Sequence, residues 1–124
     1  MREIISTSKA PAAVGAYSQA VKHDGVIYVS GQLPIIPATG EMSTGSMTEQ
    51  TTIIMNNLQE SALAGGSDLS RALKITIFLT DMSDFGEVNE AYGKFFEKDP
   101  PARCCFGVSA LPKGSSIEID AIIG

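Results

Sequence analysis

Two short apolar runs flank the dipeptide Asp24-Gly25: Gln19 to His23 before it and Val26 to Ser30 after it. Asp-Gly supplies the left-handed backbone that a two-residue hairpin turn demands, so the runs are read as adjacent antiparallel strands. This is the tightest local constraint in the chain, because it commits the N-terminal part to sheet. At 124 residues the chain is long enough for one domain with one core, taken here as residues 1–124.

After Gly31 a proline-punctuated loop runs from Leu33 to Gly40. Ser46-Met47-Thr48-Glu49 then matches a capping box, which predicts a helix running to about Ala64. Its inward stripe is Thr51, Met55, Leu58 and Ala62, and Gly65-Gly66 ends it. Ala72 to Leu79 has the Ile, Thr and Phe content of a half-buried strand. Ser83 or Asp84 is expected to cap a second helix with Phe85, Val88, Tyr92 and Phe95 on one face, stopped by Pro100-Pro101. Two strands close the chain, Arg103 to Val108 and Ser116 to Ile122. The expected architecture is an α+β domain, a mixed sheet with two helices on one face. The other sheet face is then either buried by oligomerisation or exposed and partly polar in a monomer.

Composition narrows the function classes. Apolar residues make up 44% and charged residues 19%, as in an ordinary globular domain. A net charge of −5 argues against binding phosphate backbones, which calls for a basic face. No segment is apolar enough for a membrane span, and Met1-Arg2-Glu3-Ile4-Ile5-Ser6 lacks the hydrophobic stretch of a signal peptide, so a cytoplasmic protein is expected. Cys104 and Cys105 are adjacent and point to opposite sides of a strand, so they are not expected to pair. With His23 as the one histidine, no zinc site is expected. Nucleophile elbows, phosphate loops and dinucleotide fingerprints are all missing.

Candidate chemistry rests on scattered residues. Arg103 offers a bidentate fork for a carboxylate, or else makes a surface salt bridge. Cys105 shares its face and either lines a site or packs as a small hydrophobe; Cys104 is expected to face the core. Glu118, set among isoleucines, is either solvated beside Asp120 or held for a purpose. Tyr17, Ser30 and the Gly31 backbone can each hydrogen-bond a small polar ligand.

Taken together these residues resemble the RidA (YjgF) family. The resemblance runs through Gly15-Ala16-Tyr17-Ser18-Gln19-Ala20, Val29-Ser30-Gly31-Gln32, Glu49-Gln50-Thr51 with Asn57-Leu58, and Leu79-Thr80-Asp81-Met82 followed by Phe85, Val88-Asn89 and Tyr92. It is strongest at Pro101-Ala102-Arg103-Cys104-Cys105, Leu111-Pro112-Lys113 and Ile117-Glu118-Ile119. The resemblance implies a chorismate-mutase-like fold and a homotrimer whose sheets form a central barrel, with clefts between subunits. It implies a cofactor-independent hydrolase that deaminates enamines and imines such as 2-aminoacrylate, 2-iminobutanoate and 2-iminopropanoate to 2-keto acids and ammonia. These intermediates are released by pyridoxal-phosphate enzymes acting on serine or threonine. Carried over position by position, Arg103 pairs with the substrate carboxylate and Glu118 positions the attacking water. Gly31 and Cys105 hold the ligand through their backbones, Tyr17 and Ser30 line the cleft, and Asn89 lies near it.

Two departures stand out. Ala16 replaces the family's usual proline, which loosens the backbone before Tyr17. The link Lys98-Asp99-Pro100-Pro101 is short and bears on the rim of the cleft. Relatives described as ribonucleases, translation inhibitors or chaperone-like carboxylate binders define the competing readings. The acidic balance counts against the nuclease, and a mere binding module would not need Glu118.

Overall fold

The hairpin forms as its turn dictates. Asp24 and Gly25 both take positive φ, 50° and 78°, the mirror-image turn that matches strand twist. It joins strand β2 (Ala20–His23) to β3 (Val26–Gln32), paired from His23↔Val26 outward. The computed structural model describes residues 1–124. It adds an edge strand, β1 (Glu3–Ile5), antiparallel to β2, which is too short to show a periodicity in sequence.

Helix α1 (Met47–Ala64) starts where the capping box places it: the Ser46 hydroxyl accepts from the Glu49 N–H at 3.1 Å. Thr51, Met55, Leu58 and Ala62 are all fully buried, as the stripe requires. Gly66, at φ 82°, turns the chain out of the helix. A Cβ on Gly65 would stand 2.5 Å from Ile27 Cδ1, so this end of the helix packs tightly on the hairpin.

Strand β4 (Ala72–Leu79) matches its expected bounds. The end of the next helix does not. Asp84 stands at the N-cap of that helix, as expected, but its side chain makes no capping bond; the side-chain bonds go to Asp81, from Ser83 N at 2.9 Å and Ser83 Oγ at 2.7 Å. They open a 3-10 turn (Met82–Asp84) that runs into α2 (Phe85–Gly93). Gly93 ends α2 well before Pro100-Pro101, since glycine is a poor helix interior residue. Tighter bonds follow, Phe95 N to Tyr92 O and Phe96 N to Gly93 O. They rotate the chain so that Phe96, not Phe95, is buried, with its ring 5.1 Å from that of Tyr92.

Strands β5 (Ala102–Gly107) and β6 (Ile117–Ile123) complete one six-stranded sheet of order β1-β2-β3-β6-β4-β5. Only β4 and β5 run parallel, so the sheet is mixed. Both helices cover the same face, over Ile27, Ile75, Ile77, Leu79, Ile117, Ile119 and Ile123. The other face is open within the chain and carries Tyr28, Phe78, Phe106, Glu118 and Asp120.

The register corrects the cysteine assignment. Parallel neighbours present side chains in phase, so Arg103 beside Ile75 and Cys105 beside Ile77 turn toward the helices. Cys105 packs partly buried against the core, and Cys104 joins the open face instead. Replacing Ser46 with alanine removes the cap of α1 and should lower stability by about 1 kcal/mol in urea unfolding. An unchanged midpoint would show that α1 is held by packing alone.

Candidate active site

The site begins with an irregularity in the sheet. Val29 pairs with Ala121, but Gln32 pairs with Ile119, so β3 carries one residue more than β6 across this stretch. The bulge falls at Ser30-Gly31. It brings the Gly31 backbone against the Glu118 carboxyl, so that a Cβ at this position would make the Glu118 side chain move aside. The Ser30 N–H donates to Gln19 O at 3.0 Å, and its hydroxyl donates to Ser18 O at 2.6 Å. Ser30 thus ties the segment before β2 to the bulge.

Tyr17, Ser30, Gly31 and Glu118 border one cavity of about 370 Å³, with Gln32 and Lys113. The loop over it is fastened by Gln19, which is 4% exposed. The Gln19 side-chain carbonyl accepts from Thr7 N at 2.7 Å, and its amide donates to Thr7 O at 3.0 Å and Pro11 O at 2.7 Å. Sequence reasoning read Gln19 as the start of a strand and missed this role. Its one signal was an uncharged amide at the edge of an apolar run, beside a loop whose carbonyls lack partners of their own. Burial, and then the negative charge of Asp120, push the Glu118 carboxyl above the usual carboxylate range. That shift brings it nearer the poise of a group that takes and returns a proton near neutrality.

Arg103 and Asn89 stand elsewhere, in a groove of about 400 Å³ shared with Tyr92, Phe96, Pro100 and Pro101. Arg103 Nη1 donates to Asn89 Oδ1 at 2.7 Å. The guanidinium carbon lies 5.4 Å from the Phe85 ring centre and 5.0 Å from that of Tyr92. Two aromatic faces and one amide therefore hold the fork, each a favourable contact for a planar cation. Arg103 has no carboxylate partner in the chain, which removes the surface salt-bridge reading. Cys105 lies on the same side but in neither cavity. Burial pushes its thiol up, only partly offset by the charge of Arg103, so it is a poor source of thiolate.

Within one chain, then, the expected residues separate into two groups. Tyr17, Ser30, Gly31 and Glu118 share the first cavity; Arg103 and Asn89 share the second groove. Arg103 projects on the helix side of the sheet and Glu118 on the open side, so one chain does not bring them together.

This fold and this sequence match known proteins along almost the whole chain. Residues 7–123 fit the family model described as Endoribonuclease L-PSP. A rat protein named 2-iminobutanoate/2-iminopropanoate deaminase is 50% identical over 122 residues, covering 98% of this chain and 89% of its own. RidA from an Antarctic Psychrobacter species superposes with a TM-score of 0.94 at 41% identity, covering 98% of both chains. TdcF of E. coli, solved with bound serine, gives 0.93 at 36% identity, covering 98% of this chain and 97% of its own. The chain belongs to the RidA (YjgF) family, the family of that Endoribonuclease L-PSP description.

The raised Glu118 carboxyl has a stability consequence. Where its folded value lies above its unfolded one, the native state binds the extra proton, so stability falls as pH rises through the folded value. Glu118→Gln should therefore be more stable than the parent at pH 7, with the gap closing toward pH 4 in urea unfolding. A gap that is constant with pH would remove the ionisation argument.

Proposed function

We propose that this chain hydrolyses reactive 2-imino acids and their enamine tautomers to 2-keto acids and ammonia. The substrates are 2-iminobutanoate, 2-iminopropanoate and its precursor 2-aminoacrylate. The observation that carries the reading is Arg103: a guanidinium held on two aromatic rings and one amide, with its remaining N–H groups free of any carboxylate. Such a fork suits an external α-carboxylate. The names of the mammalian relatives, and the α-amino acid bound by TdcF, support the same substrate class. The net charge of −5 favours this chemistry over cleavage of RNA.

The proposed assembly is a cytoplasmic homotrimer of chorismate-mutase-like form, with the open sheet faces turned into a central barrel. It supplies what one chain lacks, a cleft in which Arg103 of one copy faces Glu118 of the next. Arg103 holds the carboxylate and so sets the position of the protonated C=N carbon. Glu118 orients a water and takes its proton as the C–O bond forms. It returns that proton to nitrogen and takes the hydroxyl proton as the C=O forms and the C–N bond breaks, so that ammonia leaves the 2-keto acid. Gly31 and the Cys105 backbone hold the ligand, Tyr17 and Ser30 line its path, and Asn89 keeps Arg103 in place. No cofactor takes part in the proposed reaction.

Arg103→Ala should lose about 2–5 kcal/mol of transition-state stabilisation, read as kcat/KM for 2-iminobutanoate generated by a threonine dehydratase. Turnover near that of the parent would contradict the assignment. RNA cleavage by the parent, with no effect on imine lifetime, would assign the other chemistry of the family.

A further inference from the structure

Leu111-Pro112-Lys113 belongs to the motif that carries the family resemblance, yet neither the fold nor the proposed reaction uses Lys113. Its backbone is unusual. Lys113 sits at φ 57°, ψ 24° and Gly114 at φ 67°, in a turn closed by Ser115 N to Pro112 O at 3.1 Å. A turn with two left-handed central residues favours Asn, Asp or Gly at the first of them, as Asp24 shows in the hairpin. Lysine has no short polar side chain to offset that strain, so local conformation argues against it. Its side chain makes no hydrogen bond or ion pair within the protein, but it borders the same cavity as Glu118. Among the groups bordering that cavity, the ionisable ones are Tyr17, Glu118 and Lys113. A 2-imino or 2-keto carboxylate must therefore approach a chain of net charge −5 past a carboxylate. Lys113 is the one cation that the chain carrying Glu118 itself brings to that cavity; Arg103 of that chain is on the other face, and the Arg103 of the proposed cleft comes from the next copy.

We propose that Lys113 is a specificity-determining residue, whose unpaired ammonium draws anionic 2-imino acids into the Glu118 cavity and disfavours neutral or cationic imines. This rests on the deaminase reading and adds to it a second cation, besides Arg103, that selects for the carboxylate. Lys113 does not handle the reacting atoms; its action is on capture.

The test compares Lys113→Asn and Lys113→Arg with the parent. Asparagine tolerates the left-handed backbone, so the variant should melt at or above the parent and any lost activity is not lost folding. For 2-iminobutanoate at low salt, kcat/KM of Lys113→Asn should fall about threefold, as expected for removing one charge roughly 7 Å from an anion in water. KM should carry the loss, with kcat retained. Added NaCl should reduce the parent's kcat/KM and leave the variant's flatter. Lys113→Arg should behave like the parent. Equal kcat/KM and parallel salt dependence in parent and Lys113→Asn would overturn the proposal, as would a Lys113→Arg variant as impaired as Lys113→Asn. If the parent deaminates nothing, the deaminase reading fails by itself. Calorimetry with 2-ketobutanoate then decides on Lys113: weaker binding by Lys113→Asn supports it, and equal Kd values overturn it.

Discussion

The fold and the candidate site both hang on the alternation of β6. Ile117, Ile119 and Ile123 are completely buried under the helices, and between them Glu118 and Asp120 face the open side of the sheet. Each buried isoleucine is worth roughly 1.5–3 kcal/mol, so together they outweigh the penalty of half-burying Glu118. A slip of one residue would send the carboxylates into the core, which makes the register hard to lose. The bulge at Ser30-Gly31 works with this register. It lets β3 follow β6 while pressing a bare glycine backbone onto the Glu118 carboxyl.

The second half of the site obeys a different constraint. β5 adds to the sheet in parallel, so it cannot follow β4 through a tight turn and instead returns through α2. That route lays Phe85, Asn89 and Tyr92 beside the first residues of β5. Arg103 is thus fixed by the same helix that closes the core, and the Tyr92 ring serves both, packing on Phe96 and on the guanidinium. A lysine could not use these planar contacts or present a fork.

Much of this was legible in sequence, for identifiable reasons. Asp24-Gly25, the Ser46 cap and the stripe of α1 are local signals with local causes, and they held. The second helix starts after Asp84 as expected, although Asp81 takes the side-chain bonds, and its far limit failed because Gly93 acted before the prolines. Cys105 shares the face of Arg103 as expected, but Cys104 lies on the open face rather than in the core, since alternation says that neighbours differ but not which one points inward. Parallel pairing with Ile75 and Ile77 decides that, and pairing is long-range. Glu118 and Arg103 were recognisable as a set through the family resemblance alone. Periodicity left each divided between a surface role and a site. Gln19 was missed because its partners, Thr7 and Pro11, lie in a loop that has no sequence period.

The separation of Arg103 and Glu118 onto opposite sides of one sheet is the feature on which the functional account turns. An imine hydrolase built from these residues needs two copies of the chain per cleft. The most direct measurement is complementation. Arg103→Ala and Glu118→Gln chains are unfolded together, refolded in equal amounts, and assayed for 2-iminobutanoate hydrolysis. Clefts shared between neighbours predict recovery of about a quarter of the parent activity, the chance that a cleft draws one intact side from each chain type. Activity no greater than the sum of the two variants refolded separately would contradict a site divided between subunits.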